Sequence, residues 1–372
     1  PLREGEFAKT DLVRELSLSQ GVVEKRTTIP ILSNILVEAT QDRIILTATD
    51  LELGIRCSCP ANVKKQGAGT VPAKRFLDYV RLLPDADLQV KFGDNQWVSI
   101  VCGRSRTRIA GMSRDSYPEL PEAAERIAEI PAGVLAAAIS QTIFAISMEE
   151  SRFTLNGALL VLKPDSLTMV ATDGHRLALA QHPVQLGPDA SHKALLPRKA
   201  MSEIAKLCAD AGPDAKIDFA ATENHLFFRI GGRLLISRKL SGNFPDYERV
   251  LPREHPHQIN LARDEFRGTI ERVAQFSDER SHAVKVRVEP GELKVHSSLS
   301  ETGESEESVS VEYDGPAVEI GFNAQYIVEF IRAVPESQVA FLFKDAANAG
   351  ELRPHAENLG YNYRYIIMPM RI

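Results

Sequence analysis

Thr172-Asp173-Gly174-His175-Arg176 sets a carboxylate and an imidazole two residues apart, the types a general acid–base pair would need. An earlier segment, Thr49-Asp50-Leu51-Glu52, repeats the pattern without the histidine, and no nucleophile motif accompanies either copy. An Asp-Gly turn between two strands explains the same residues without catalysis. Cys57-Ser58-Cys59 and His255-Pro256-His257 lack the paired spacing of a zinc site, and no C-x-x-C partner exists for them. There is no G-x-x-x-x-G-K-[ST] and no dinucleotide fingerprint, while Gly231-Gly232 fits a hairpin turn. The expectation is therefore a chain with no catalytic residue, no metal and no cofactor.

Charge is more informative than any single motif. The chain has 44 Lys and Arg against 50 Asp and Glu, a net of −6. Six helical windows (6–16, 73–83, 132–147, 198–207, 263–276 and 323–334) together carry +3, so the rest carries −9. Lys74, Arg75, Arg81, Arg198, Lys199 and Lys206 supply most of the excess. Helices converging on one surface would make a basic face able to meet phosphates on an otherwise acidic protein. The alternative is a set of ordinary solvated helix faces. A second asymmetry sets Arg104, Arg106 and Arg108 on alternate positions of one segment, hence on one strand face. Residues 301–314 hold Glu301, Glu304, Glu306, Glu307, Glu312 and Asp314 with no Lys or Arg. Copies joined head to tail through these opposite ends would close a ring; a screened loop and an exposed arginine strand is the other reading.

The elements that position these residues come three times over. Leu46-Thr-Ala-Thr-Asp-Leu-Glu52 returns 123 residues later as Met169-Val-Ala-Thr-Asp-Gly-His175. Val71-Pro-Ala-Lys-Arg-Phe76 returns 125 later as Leu196-Pro-Arg-Lys-Ala-Met201, and Asn323-Ala-Gln-Tyr326 opens a third such helix. Tyr117-Pro118 echoes Phe244-Pro245. One period of about 124 residues accounts for all of them, and internal repeats decide architecture. Proline clusters (Pro118, Pro121, Pro131; Pro245, Pro252, Pro256) mark the joints, which predicts domains at 1–121, 130–250 and 257–372.

Within a repeat, Phe76, Leu77, Val80 and Leu83 follow helical spacing, as do Leu135, Ile139 and Ile143, and Phe266, Ile270 and Val273. Alternating strands meet at short turns: Leu88, Val90 and Phe92 with Val98 and Ile100; Ile217 and Phe219 with Leu226, Phe228 and Ile230; Val284, Val286 and Val288 with Leu293 and Val295. The fold class expected is α+β, two helices and antiparallel sheets per repeat. Composition is that of a globular chain, 44% hydrophobic and 25% charged. No apolar run reaches membrane-spanning length, the first residues lack a signal-peptide core, and four cysteines in so long a chain suit a reducing cytoplasm. The apolar end, Tyr365-Ile-Ile-Met-Pro-Met-Arg-Ile372, reads either as a last core strand or as a wall of a pocket for varied peptides.

Taken together the residues resemble the bacterial sliding clamps, the beta subunits of DNA polymerase III, along essentially the whole chain. The pieces that carry the resemblance are Arg26-Thr-Thr-Ile-Pro-Ile-Leu-Ser-Asn34, Ala171-Thr-Asp-Gly-His-Arg-Leu-Ala178, Asn243-Phe-Pro-Asp-Tyr247 with Arg249-Val-Leu-Pro252, Gly321-Phe-Asn323 and Met368-Pro-Met-Arg371. The resemblance implies three domains of the DNA clamp fold per chain, a head-to-tail homodimeric ring around duplex DNA, and processivity for tethered polymerases. It implies partners in DNA polymerases, the clamp loader and repair proteins, which bind through short linear motifs, and no membrane.

Carried over residue by residue, the partner-peptide pocket comprises Leu155, Thr172, Gly174, His175, Arg176, Leu177, Pro245, Arg249, Val250, Asn323, Tyr326, Ile366, Ile367, Met368, Pro369, Met370, Arg371 and Ile372. The DNA-binding candidates are Arg26, Arg75, Arg81, Arg152, Phe153, Arg198 and Lys199. Met148-Glu149-Glu150-Ser151-Arg152-Phe153 stands at the family's DNA-facing loop. Arg104, Arg106, Glu304 and Glu307 are expected at the dimer interface, with Ile109 and Phe276 as its apolar part because Thr107 stands where a bulkier residue is usual. An enzyme using Asp173 and His175, and a protein-only repeat scaffold without DNA encirclement, are the rival functions.

Overall fold

The computed structural model describes residues 3–23 and 27–371. The six helices expected are present: α1 (Lys9–Gln20), α2 (Ala73–Leu82), α3 (Ala132–Thr142), α4 (Arg198–Ala211), α5 (Arg263–Ala274) and α6 (Ala324–Ala333). Their apolar stripes face inward: Phe76, Leu77 and Val80 of α2, Leu135 and Ile139 of α3, and Phe266, Ile270 and Val273 of α5 are all buried. Each such side chain stabilises the fold by ~1.5–3 kcal/mol on full burial. The window 6–16 splits, because a strand, Arg3–Ala8, precedes α1. The window 132–147 also ends early, with α3 giving way at Thr142 to a 3-10 turn. Among the described residues no helix is long and apolar enough to cross a membrane.

Every ladder is antiparallel, and the predicted hairpins form at the predicted turns. The sheets do not stop at the repeat boundaries. In one eight-stranded sheet Leu53–Pro60, from the first repeat, pairs with Arg233–Arg238, from the second, with Ile55 opposite Leu235. In the other, Arg176–Pro183 pairs with Asn362–Ile367, with Leu177 opposite Ile366. The chain therefore condenses into two compact units, residues 1–136 with 199–239 and residues 137–198 with 240–372. The second repeat is shared between them, a grouping that a period along the sequence does not reveal.

Each shared sheet is accompanied by a buried arginine. In the first unit Arg233 grips Glu15 of α1 through two bonds of 2.9 Å and reaches Asp210 of α4 at 2.6 Å. In the second unit Arg176 takes the comparable part, described below. All four cysteines are buried and free, and burial pushes the Cys57 and Cys59 thiols up to about 12, leaving them unreactive at neutral pH.

Candidate partner-binding and nucleic-acid surfaces

Residues 172–176 turn between strands Ser166–Thr172 and Arg176–Pro183. Asp173 Oδ1 accepts from the N–H groups of His175 (2.9 Å) and Arg176 (3.1 Å), and Thr172 Oγ1 donates to the Arg176 carbonyl at 2.6 Å. The first repeat builds the same turn: Asp50 Oδ1 accepts from Glu52 and Leu53, and Thr49 Oγ1 donates to Leu53. Asp173 is thus occupied as a turn-former, and His175 lies exposed beside it. Gly174 has φ +89°, which glycine adopts without strain, whereas Leu51 holds φ +79° at the matching position of the first repeat; a Cβ at 174 would meet only the movable tip of Arg152. Asp50 of the first repeat also holds Lys199, on α4 of the second, at 2.5 Å, a partner the sequence pattern does not announce.

Arg176 does not line an open wall. Its side chain is 8% exposed and makes contacts on every side. Nε meets Asp173 at 3.2 Å, Nη1 meets Glu329 at 2.9 Å and the Tyr365 hydroxyl at 3.2 Å, and Nη2 donates to the Phe144 carbonyl at 2.7 Å. The guanidinium also lies 4.2 Å from the Tyr326 ring centroid. Burial opposes its charge, but Tyr365, Glu329 and Asp173 outweigh burial, so its pKa is raised and it stays charged. The tail is fastened close by: the Met368 N–H donates to the His175 carbonyl (2.9 Å) and that of Met370 to Gly321 (2.8 Å).

Beside this turn the sheet carries an apolar surface of Leu159, Val170, Leu177, Leu179, Leu195 and Ile366. Phe244, Tyr247 and Leu251 of the segment at the end of the second repeat pack on it, half-buried. Leu155 is buried, Val250 and Met368 remain exposed at the rim, and Arg249 is exposed and paired with Asp246 at 2.9 Å. Asn323 caps α6, accepting from the Gln325 N–H, and Tyr326 lies one turn on. Pro245 and Arg371 are exposed, Pro369 and Met370 partly so, and Ile367 is buried. Ile372 lies outside the described residues. Sequence reasoning missed Phe244, Tyr247 and Leu251 as site residues, although the Asn243–Pro252 segment signalled them. It had no signal for Glu329 or Phe144, and Tyr365 entered only as the first residue of the apolar end.

The basic candidates separate into exposed groups and groups held by carbonyls or carboxylates. In the first unit Arg75 and Arg81 are exposed on α2, and a groove of about 580 Å³ is lined by Ser17, Gln20, Lys74, Asp78, Arg81 and Lys206. Lys199 instead bonds Asp50 and the Val22 carbonyl. In the second unit Arg198 donates to the Ile143 carbonyl and Arg152 to that of Asp173 (2.9 Å), with Glu149 also at 2.9 Å. Phe153 is 71% exposed. Arg26 lies outside the described residues.

At the complementary ends, Arg104 lies in a hairpin turn, and Arg106 and Arg108 alternate outward from strand Ser105–Ala110. Ile109 points the other way and is buried in its own unit, opposite Val98, so of the two apolar interface candidates only Phe276 is exposed. On Gly303–Ser310, Glu304 and Glu306 are exposed while Glu307 is held by Arg272 of α5 at 2.7 Å.

Residues 6–121, 129–246 and 248–371 match, in order, the N-terminal, central and C-terminal domains of the DNA polymerase III beta subunit. The chain belongs to this family. It is 37% identical over 369 residues to the beta sliding clamp of Caulobacter vibrioides, covering 97% of this chain and 98% of that one. To the Chlamydia pneumoniae beta sliding clamp it is 33% identical over 366 residues, covering 98% of each. The crystal structure of the Pseudomonas aeruginosa DnaN sliding clamp bound to griselimycin superposes with a TM-score of 0.93 at 31% identity, covering 100% of both chains. A Caulobacter crescentus beta sliding clamp also gives 0.93, at 35% identity, covering 100% of this chain and 99% of that one. The beta-subunit fold of three clamp domains, and the function of a DNA sliding clamp conferring processivity, are those of this chain.

Proposed function

We propose that the chain works as a non-catalytic, cytoplasmic homodimer that closes around duplex DNA and holds polymerases, the clamp loader and repair proteins by short peptide motifs. The three clamp domains in one chain carry this reading, with the repeat boundaries at 1–121, 130–250 and 257–372. Tethering raises effective concentration: a polymerase that releases the primer end rebinds it as an intramolecular event.

Strand pairing supports the dimer. Leu53–Pro60 pairs with Arg233–Arg238, and Arg176–Pro183 with Asn362–Ile367, each joining corresponding edges of successive repeats. The corresponding edges left over are Gly303–Ser310 and Ser105–Ala110, each bonded along one side only among the described residues. Extending the rule sets the acidic edge of one copy against the basic edge of the next. Reversing Arg106 and Arg108 to Glu is expected to weaken the dimer about tenfold or more, since exposed pairs contribute ~0–1 kcal/mol each and reversal adds repulsion. Reversing Glu304 and Glu306 to Arg in the same chain restores part of it. Sedimentation reads both, and an unchanged first variant rejects this edge.

DNA contact is expected from the exposed cations Lys74, Arg75 and Arg81, the last also bonded to the Ser17 hydroxyl at 3.2 Å, together with Lys206, which is exposed but paired with Glu203 at 3.0 Å. The protein loaded on nicked circular DNA should stay bound and be lost once that DNA is linearised. Replacing the four by Ala should shorten retention and reduce the slope of log K against log salt by up to ~0.9 for each phosphate contact removed. Retention on linear DNA with open ends would refute encirclement; an unaltered salt slope would refute these contacts. The pocket reading rests on the apolar surface around Leu177 and Ile366, with the tail at its rim.

A further inference from the structure

Glu351 lies on strand Gly350–His355 with a fully buried side chain, beside the proposed pocket rather than in it. Its cross-strand neighbour is Ile366, a floor residue of the apolar surface. Four donors converge on this carboxylate. Arg364 gives two bonds, of 2.9 and 2.8 Å, His255 Nε2 lies 2.9 Å away, and Arg353 Nε completes the set. Arg364 Nη2 also donates to the Pro252 carbonyl at 3.0 Å. Burial alone would push the carboxyl up, but the bonds from His255, Arg364 and Arg353 hold it down at about 2, so it is ionised at neutral pH.

The knot joins two parts of the chain. Arg364 and Arg353 belong to the sheet, whereas Pro252 and His255 belong to the segment carrying Phe244, Tyr247 and Leu251 onto the pocket. That segment is tied at its start by the Leu240 N–H, which donates to the Leu195 carbonyl at 3.1 Å. Between the ties it has one short 3-10 turn, Tyr247–Arg249, and mostly exposed residues. His255 Nδ1 has no partner among the described residues, so Nε2 to Glu351 is the one side-chain hydrogen bond that orients its ring. A wall with little internal structure takes its position from its anchors.

We propose that Glu351 is a positioning residue of the partner-peptide site: with Arg364 and His255 it latches the wall made by Phe244, Tyr247 and Leu251 against the sheet. This inference rests on the pocket reading above. Without the latch the wall frays, and a peptide must order it on binding, which lowers affinity without loss of any group that touches the peptide.

The test uses the full-length protein and a fluorescent peptide presenting Leu and Phe. Amide hydrogen exchange over residues 244–255 is followed without peptide, and peptide affinity is measured separately. Glu351→Gln and the milder His255→Ala should both speed exchange in that segment. Each should lower affinity about tenfold, the scale of losing one hydrogen bond to a charged group. His255→Gln, which keeps an N–H donor, should recover much of both. Unchanged exchange in His255→Ala overturns the latch, and so does faster exchange with wild-type affinity. A wild-type protein that fails to bind the peptide overturns the pocket reading and this inference with it, visibly before any variant is compared.

Discussion

A chain ending at Ile367 is expected to fold and dimerise as the full chain does and to bind no partner peptide. The fold survives because Ile366 and Ile367, the buried residues of the last strand, are retained, whereas Met368 is exposed. What goes is the rim stitched to His175 and Gly321 through the amides of Met368 and Met370. A Leu and Phe pair buried in the site contributes ~3–6 kcal/mol before ordering costs, at ~1.5–3 kcal/mol for each large side chain. A micromolar complex totals about 8 kcal/mol, so losing one rim removes most of it. His175→Ala and Arg249→Ala should cost less, since each trims a single exposed side chain. Calorimetry with a Leu- and Phe-bearing peptide measures the series. Wild-type affinity in the truncated protein would show the tail to be only the end of a core strand.

Arg176→Leu is the substitution with the largest expected cost in stability. It leaves Asp173 Oδ2 and the Phe144 carbonyl, both part-buried, without their guanidinium donor, and leaves Glu329 to whatever water can reach it. Removing one partner of a buried ion pair costs ~3–5 kcal/mol, and the one-third exposure of Glu329 sets this case toward the lower figure. Arg176→Lys keeps the charge but not the fork that serves four partners at once, so it should fall between. Adding Glu329→Leu and Asp173→Asn to Arg176→Leu should recover part of the loss, because the uncompensated carboxylates are then gone. Denaturation midpoints of the single and combined variants decide it. A single variant as stable as the parent would mean that the cluster is solvated and contributes nothing.

The two predictions fall on opposite sides of what could be read from residue order. Repeats, helices and hairpins were legible because their signals are local: Phe76 to Val80, or Val284 to Val288, report a period within a few residues. The Asp-Gly turn at 173–174 was legible for the same reason, and the Asp50 turn shows the design without a histidine. Family membership also follows from order and spacing along the chain. Tertiary structure alone decided where the long-range partners lie. Nothing near Arg176 in sequence indicates Glu329 or Tyr365, 153 and 189 residues away. Lys199 reads as a free cation until Asp50, 149 residues earlier, is seen to hold it. Ile109 reads as a surface anchor until alternation along Ser105–Ala110 turns it inward and its arginines outward. Glu351 reads as one acid among fifty until two arginines and a histidine close on it. Hydrophobic periodicity states which face of an element is buried; which charged groups meet there depends on how distant strands pair, and that is settled only when the sheets assemble.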